Sequence, residues 1–342
     1  MKIGDFDFNE GKTFIIAELS ANHNQDFNLA KEAVRLAFEA GADAIKLQTY
    51  TADSLTIDVK EERFKAGHLW SSEYLYDLYQ RAHMPLEWHA PLQAYAKELG
   101  IILFSSAFDL SGADLLKSLD MPAYKIASFE ITDIPLIEHV AAFGKPILIS
   151  TGIANEEDIH RAITACRNVG NDQIALLKCT SSYPAPPESM NLSTIPDMAQ
   201  KYGVTVGLSD HTLGLEACIA AVSLGARILE KHFTPDPSVP SADQAFSLNP
   251  DELKALVHSI RNVEKMIGKP DYLGGNKKFA RSLFSIKDIA TGEPFTTENV
   301  RSIRPGDGLH PRHMKTLLQA YATTDIKRGT PLDTTMVSVE LI

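Results

Sequence analysis

The chain has 342 residues, 33 basic and 44 acidic side chains, and a formal net charge of -11 at pH 7. This acidic balance disfavours binding to nucleic acid or anionic membranes, so any anionic ligand must be held by local cations. No apolar run is long enough to span a bilayer, the start lacks a signal-peptide core, and Cys166, Cys179 and Cys218 suit free thiols. We therefore expect a soluble, cytoplasmic protein that acts on small molecules.

From residue 14 onward, short apolar runs rich in β-forming residues alternate with amphipathic stretches of helical period. The runs are apolar on successive positions, as strands are when both faces of a parallel sheet are buried. The predicted strands are FIIAE (14–18), AIKLQT (44–49), ILFSSAF (102–108), AYKIAS (123–128), PILIST (146–151), IALLKCTS (174–181), TVGLSD (205–210) and RILEKHF (227–233). Eight strands close a (β/α)8 TIM barrel. An open doubly wound sheet is disfavoured, because no G-x-G-x-x-G follows the first strand and no G-x-x-x-x-G-K-[ST] occurs.

A second, smaller domain follows the barrel. The last amphipathic helix ends at Gly268, so 1–268 is the predicted barrel domain and the Pro-, Gly- and Lys-containing stretch 269–281 the predicted linker. Within 282–342, KDIATGEPFTTENV (287–300) and TDIKRGTPLDTTMV (324–337) match at Asp, Ile, Gly, Pro, Thr and Val. This duplication predicts a pseudo-symmetric, β-rich module too short to bury a large core.

Two of the predicted strands end in histidine. VTVGLSDH ends at His211 and ARILEKH at His232. In a barrel the chemistry lies at the carboxyl ends of the strands, where neighbouring parallel strands would bring both imidazoles together in a geometry suited to a divalent metal. A single histidine at a strand end is more often a packing residue, but two of them beside Asp210, Glu230 and Lys231 favour a metal site.

Lysines and hydroxyl groups occupy the same predicted rim. Lys46 and Lys125 lie near strand ends, together with Ser106, Ser128, Ser150 and Ser209. Ammonium and hydroxyl groups together favour a bound phosphate or carboxylate, since a buried cation without an anion is costly. Two alternatives remain at this point: a Schiff-base lysine, as in an aldolase, or lysines paired with Glu18 and Glu130.

Three acidic residues are candidates for chemistry at the rim. Glu18, Glu130 and Asp243 would stay ionised beside lysines and a metal, where they could ligate, orient water or accept a proton. Asp243 lies in the polar stretch SVPSADQAF, so an ordinary solvated turn residue is an equal interpretation.

The chain also resembles a known family. FIIAELSANHN, ADAIKLQTY, AYKIASFE, ILISTGI, LLKCTSSYP, VGLSDHT and ILEKHF, then FARSL and IRPGDGLHP, resemble the sialic acid synthase family over essentially the whole length. The resemblance implies a (β/α)8 barrel followed by a small antifreeze-like (SAF) domain. AELSANHN, TYTADSLTI and GLHP are most similar to the family's bacterial pseudaminic acid synthases. The implied reaction condenses phosphoenolpyruvate with open-chain 2,4-diacetamido-2,4,6-trideoxy-altrose, giving a nine-carbon keto acid and phosphate.

The resemblance also implies roles for individual residues. His211 and His232 match ligands of a divalent metal, Mn²⁺ with Mg²⁺ or Co²⁺ as alternatives. Phosphoenolpyruvate is expected at Lys46, Ser106, Lys125, Ser128, Ser150 and Ser209. The expected catalytic residues are Glu18, Lys125 and Asp243, and the expected sugar contacts are Gln48, Glu130, Tyr183 and Arg304. Arg304 matches an arginine that the neighbouring subunit supplies, which implies a domain-swapped homodimer.

One departure and three alternatives bear on the exact activity. Ser181 in CTSSYP stands where synthases that use N-acetylmannosamine commonly carry Asn, which argues against that substrate. An N-acetylneuraminate or legionaminate synthase is the nearest alternative, and a Schiff-base aldolase acting through Lys125 is another. A non-catalytic ice-binding protein would need a flat face, yet the second domain carries Arg301, Arg304, Arg312 and Lys315.

Overall fold

Eight parallel strands form a closed barrel, in which each strand pairs with the next one along the chain and the last pairs with the first. The computed structural model describes residues 1–67, 70–272 and 274–340. The barrel strands are β3 Phe14–Glu18, β4 Ala44–Thr49, β5 Ile102–Ala107, β6 Tyr124–Ile126, β7 Ile147–Ser150, β8 Ile174–Cys179, β9 Thr205–Asp210 and β10 Ile228–His232. Each lies within one of the eight predicted runs, and the predicted barrel is confirmed.

Helices alternate with these strands around the barrel. They are α1 Phe27–Ala40, α2 Ala52–Leu55, α3 Leu75–Ala82, α4 His89–Leu99, α5 Leu110–Ser118, α6 Ile134–Ala141, α7 Glu156–Asn168, α8 Thr194–Tyr202, α9 Glu216–Ser223 and α10 Pro250–Ile267. Local sequence sets their limits. The Asp26 side chain caps the start of α1, and Gly41 ends it with a left-handed φ of 83°. At α10, Asn249 and Glu252 form a capping box around Pro250.

The interior of the barrel is apolar at its amino-terminal end. The inner cluster consists of Ile3, Phe14, Ile16, Ala44, Phe104, Ala123, Leu148, Ala175, Leu177 and Ile228. The hairpin of β1 (Lys2–Ile3) and β2 (Phe6–Asp7) lies against this end, and Phe6 and Phe8 pack onto the cluster. Polar groups are therefore confined to the opposite end, at the carboxyl ends of the strands, which we call the barrel mouth.

The chain divides into a barrel unit, residues 1–268, and a small unit, residues 269–342. The small unit contains the antiparallel strands β11 (Ser282–Ser285) and β12 (Val300–Ile303) and the short helix α11 (Met314–Leu317). Its two repeats meet symmetrically, because Ile289 and Ile326 each donate a backbone hydrogen bond to the other at 2.8 Å. The matching Asp288 and Asp325 each accept a backbone N–H from the opposite repeat, at 2.7 and 2.8 Å.

Among the residues that the structure describes, every helix is too short or too polar to span a bilayer.

Candidate active site

A pocket opens at the barrel mouth and contains most of the predicted site residues. Its open space, with solvent at the entrance included, is about 400 Å³. The predicted residues that line it are Glu18, Lys46, Gln48, Ser106, Lys125, Ser128, Ser150, Tyr183, Ser209, His211 and His232. Strand register brings them to one level, since Gln48 pairs with Ser106 and Ser106 with Lys125 on adjacent strands.

Both predicted lysines are buried and held by serine hydroxyls. Lys46 Nζ donates to Ser106 Oγ at 2.8 Å, and Lys125 Nζ donates to Ser150 Oγ at 2.7 Å. Lys46 also contacts a carboxylate oxygen of Glu18 at 2.7 Å. Burial lowers the pKa of Lys125, against the opposing attraction of Glu230.

Glu230 lies between the two ammonium groups and was not assigned a role from the sequence. Its Oε1 is 3.8 Å from Lys46 Nζ and 3.9 Å from Lys125 Nζ, and it accepts from Ser209 Oγ at 3.1 Å. Burial would raise the pKa of Glu230, but attraction by the two lysines outweighs it and lowers the pKa below its usual value. The inward position of Glu230, two residues before His232 on β10, is the sequence signal that could have identified it.

Three serine hydroxyl groups of the pocket accept hydrogen bonds from the protein. Ser106 and Ser150 accept from lysines, and Ser128 Oγ accepts from the backbone N–H of Gly152 at 2.8 Å. A hydroxyl that accepts from the protein can turn its own hydrogen toward another acceptor. The pocket therefore presents hydroxyl and ammonium donors together, as an anionic ligand requires.

The two histidines lie side by side. The ring centroids of His211 and His232 are 5.2 Å apart. His211 Nδ1 lies 3.1 Å from the carbonyl oxygen of Thr180, a hydrogen bond that leaves Nε2 for a ligand. Burial and repulsion by His211 lower the pKa of His232 well below its usual value. His232 is therefore neutral at physiological pH, the form that binds metal.

These residues fit a divalent cation. His232 Nδ1 is buried and has no hydrogen-bond partner among the described residues, which is costly unless a ligand compensates. In residues 1–67, 70–272 and 274–340, no group of three or more His, Cys, Asp or Glu side chains is arranged as a metal site. Two imidazoles would thus be the protein ligands, and the other coordination positions would be open to substrate and water.

The acidic candidates occupy different surroundings. Burial raises the pKa of Glu18 to about 7, against the attraction of Lys46. Asp243 does not line the pocket but is buried beside it, where its Oδ2 accepts from the Ser20 hydroxyl and lies 3.9 Å from His232 Nδ1. The interpretation of Asp243 as a solvated turn residue is therefore wrong.

Two predicted sugar contacts do not line the pocket. Glu130 lies outside it, and burial raises the pKa of this carboxyl to about 7. The nearer carboxylate partner of Lys125 is Glu230, so Lys125 is not held by the pairing with Glu130 that the sequence left open. Arg304 belongs to the small unit, where it is exposed.

An aromatic cluster beside the histidines was only partly predicted. The ring of Tyr183 lies 4.5 Å from His211 and 5.3 Å from Phe246. Trp70 lies 6.0 Å from Tyr183, and its indole N–H donates to the carbonyl of Ala242 at 3.1 Å. Residues from separate loops meet here, which their sequence positions do not indicate.

Cys179, Phe108 and Phe129 also line the pocket and were not predicted to do so. The Cys179 sulfur lies 3.8 Å from His211 Nδ1. Burial alone would raise the pKa of Cys179, but the contact with His211 outweighs it and lowers the pKa to about 7. The last residue of β8 is thus an acidic thiol at the pocket wall.

Comparison with known proteins identifies the family of the chain. The model of the NeuB family matches residues 33–272, and that of the SAF domain matches residues 280–338. A pseudaminic acid synthase of Helicobacter pylori is 46% identical over 93% of this chain and 96% of that protein. An N,N'-diacetyllegionaminic acid synthase of Legionella pneumophila is 36% identical over 93% of both chains.

A solved structure shares the fold as well. The N-acetylneuraminic acid (sialic acid) synthetase from Leptospira borgpetersenii, in complex with citrate, superposes with a TM-score of 0.73 at 30% identity. The match covers 81% of this chain and 93% of that chain. The resemblance seen in the sequence is therefore confirmed: the chain belongs to the NeuB family, with a barrel followed by a SAF domain.

Proposed function

We propose that the chain is a pseudaminic acid synthase. It condenses phosphoenolpyruvate with open-chain 2,4-diacetamido-2,4,6-trideoxy-altrose to give a nine-carbon keto acid and phosphate. Family membership and the pseudaminic acid synthase relative support this reaction. The observation that supports this proposal most strongly is that one pocket combines two imidazole rings, with centroids 5.2 Å apart, and two buried lysines that bond to serine hydroxyls.

Phosphoenolpyruvate binds among the lysines and serines. Its phosphate and carboxylate carry the negative charge that the ammonium groups and hydroxyl hydrogens can satisfy. Lys46 would exchange its contact with Glu18 for the ligand, while the Ser106 oxygen continues to hold its Nζ. Lys125 lies on the strand next to Ser106 and completes the anion site.

His211 and His232 hold a divalent metal, Mn²⁺ in our proposal, which supplies Lewis-acid polarisation of the sugar aldehyde when bound. Bond making then follows from the substrates' own chemistry. C3 of phosphoenolpyruvate bonds to the aldehyde carbon, whose oxygen takes up a proton, and water adds at C2 with loss of a proton. The C2–O bond to phosphate then breaks, and the remaining C2 hydroxyl gives its proton to the departing phosphate and becomes the keto group. Glu18 or Asp243 takes the proton from that water, and Lys46 and Lys125 offset the charge on the departing phosphate.

The sugar occupies the side of the pocket nearest the aromatic cluster. Gln48 donates to Glu18 Oε1 and to Ser20 Oγ, both at 2.8 Å, and its amide oxygen remains to accept from a sugar hydroxyl or acetamido N–H. Tyr183 offers an apolar ring face to the deoxy end of the sugar. Glu130 and Arg304 complete the proposed sugar contacts.

We also propose a homodimer in which the small unit of one copy covers the barrel mouth of the other. Arg304 is exposed, as a residue that acts in a neighbouring subunit must be. The loops that follow the barrel strands carry exposed apolar side chains, from 47% exposed for Ile153 to 65% for Leu213. Such a set of exposed apolar groups around one opening is typical of an interaction surface.

Product identification tests the proposal directly. The purified chain with Mn²⁺ is incubated with phosphoenolpyruvate and each of three sugars, those leading to pseudaminic, legionaminic and N-acetylneuraminic acid. Phosphate release and product NMR are the readouts. We expect release and a pseudaminic acid spectrum with the altrose-configured sugar alone. Turnover of another sugar in preference would establish a different synthase of the family, and borohydride trapping at Lys125 would indicate a Schiff-base aldolase.

A further inference from the structure

A buried ion pair lies outside the pocket, on the two strands that end in histidine. Lys231 Nζ contacts Asp210 Oδ2 at 2.7 Å, and the side chains are 1% and 0% exposed. The two residues are register partners on the paired strands β9 and β10. Each directly precedes one of the proposed metal ligands, His211 and His232.

The pair and the histidines lie on opposite faces of the barrel wall. Successive residues of a strand point to opposite faces, so Lys231 points away from the pocket that Glu230 and His232 line. Outside the wall, Asp210 Oδ2 also accepts from the Cys218 thiol of α9 at 3.3 Å. The pair is thus fixed between the barrel and its helical layer.

The same pair holds the residue after His211. The backbone N–H and the hydroxyl of Thr212 donate to Asp210, at 2.9 and 3.2 Å. Lys231 Nζ donates to the Thr212 carbonyl oxygen. The backbone on both sides of His211 is therefore tied to β10, the strand that carries His232.

We propose that the Asp210–Lys231 pair is a positioning clamp that sets the separation of the His211 and His232 imidazoles and thereby the affinity of the barrel mouth for a divalent cation. The inference rests on the metal role proposed above. Thr180 fixes the His211 ring from inside through its carbonyl, and the clamp fixes the His211 backbone from outside.

Stability alone does not account for such a pair. Two buried charges lose their hydration, and well-packed apolar residues in their place are often as stabilising. A pair that controls geometry, by contrast, is expected to affect the ligand site on the other face of the wall. Partners that orient metal ligands in this way typically change metal affinity by 10- to 100-fold.

The test is Mn²⁺ binding to the full-length chain, measured by the EPR signal of free Mn²⁺. The double variant Asp210→Asn/Lys231→Met removes both charges together and leaves no unpaired buried ion. The matched control is Asp43→Asn/Arg261→Met, which removes the pair at 2.6 Å next to the amino-terminal end of β4. Thermal unfolding of the metal-free proteins checks that each variant folds.

We expect the Kd for Mn²⁺ to rise at least 10-fold in the clamp variant and to stay within twofold of the parent in the control. A clamp variant that folds and binds Mn²⁺ as the parent does would overturn the inference. If that variant does not unfold cooperatively, the single variant Asp210→Asn decides. It removes one charge of the clamp and keeps the side-chain shape, and unchanged affinity there would also overturn the inference. A parent chain that binds no Mn²⁺ would instead overturn the metal role itself.

Discussion

The barrel unit and the small unit differ in the charged side chains that they bury. The barrel unit buries Glu18, Lys46, Lys125, Asp210, Glu230, Lys231 and Asp243. In the described part of the small unit, residues 269–272 and 274–340, no Asp, Glu, Lys or Arg is buried, and the buried polar residues are Ser282, Ser285, Asn299 and His313. Because burying charge is costly, its concentration at one end of the barrel indicates where a ligand must compensate.

The buried polar groups of the small unit are satisfied within it. Ser285 Oγ donates to the Lys327 carbonyl at 2.5 Å, and Asn299 donates to the Pro294 carbonyl at 3.0 Å. The first hydrogen bond ties the strand before one repeat to the other repeat, and the second lies within the first repeat. Any contribution of the small unit to catalysis must therefore come from its surface, where Arg304 lies.

Substitution of either histidine should have the largest effect on the function of the barrel mouth. We expect His211→Ala and His232→Ala to lower kcat/KM at least about 10³-fold, because Lewis-acid polarisation by the metal lowers the activation barrier by several kcal/mol. Steady-state phosphate release at several Mn²⁺ concentrations measures the loss, and circular dichroism checks the fold. In the parent chain, EDTA should abolish turnover and Mn²⁺ should restore it. Full activity after chelation would contradict the metal role.

Lys125→Ala tests whether the buried lysines compensate an anion. We expect KM for phosphoenolpyruvate to rise about 100-fold, the loss of one charge-assisted contact of roughly 3 kcal/mol, with a much smaller change in KM for the sugar. The control is Lys178→Ala, a lysine near the end of β8 that does not line the pocket. A larger effect on the sugar than on phosphoenolpyruvate would assign Lys125 to the other substrate.

The proposed role of Arg304 in the barrel mouth of a neighbouring subunit is tested by subunit mixing. Arg304→Ala should lower kcat/KM by a few tens of fold, as the loss of one charged substrate contact of about 2 kcal/mol does. Lys125→Ala and Arg304→Ala chains are then dissociated, mixed in equal amounts and reassociated.

In a swapped dimer, each heterodimer has one intact site, made from the barrel of the Arg304→Ala chain and the small unit of the Lys125→Ala chain. Half of the dimers are heterodimers after random exchange, so about a quarter of the parent activity should return. A mixture no more active than the average of its two components would show that Arg304 does not act across subunits.

The sequence predicts the barrel well because strands buried on both faces are read directly from continuous apolar runs. β3, β4 and β9 begin and end at the predicted residues. β6 is shorter than its run, Tyr124–Ile126 rather than 123–128, because Ser128 already begins a 3-10 turn. Strand-end chemistry follows from the same regularity, which is why the lysines, serines and histidines meet as expected.

The contacts that the sequence does not specify depend on the loops. Asp243 enters a buried hydrogen bond with Ser20, and Phe246 reaches His232, although both come from a polar stretch that suggests a solvated turn. No local pattern specifies which loop folds over which strand end. Glu230 was missed for another reason: its inward position on β10 indicates a pocket residue, but only the folded strands bring it between two lysines.

Substitution of His23 should have the smallest effect of the changes considered, and it should alter stability rather than activity. His23 is a buried polar residue that does not serve the ligand site. It is fully buried in the loop after β3, stacks edge-on against Trp88, and does not line the pocket. Nδ1 accepts from the backbone N–H of Gln25 at 3.0 Å, and Nε2 has no hydrogen-bond partner among the described residues. Burial lowers the pKa of His23 from 6.5 to about 4.

The lowered pKa means that the folded chain binds a proton at His23 less readily than the unfolded chain. Its contribution to stability is thus present above pH 6.5 and lost as the pH falls toward 4. Between pH 7 and pH 5 the parent should lose about 2 kcal/mol of unfolding free energy through this group, measured by urea denaturation. His23→Gln should remove that part of the pH dependence, whereas substitution of the exposed His160 by Gln should not. If the unfolding free energy changed with pH equally in the parent and in His23→Gln, the buried ring would not be held neutral by the fold.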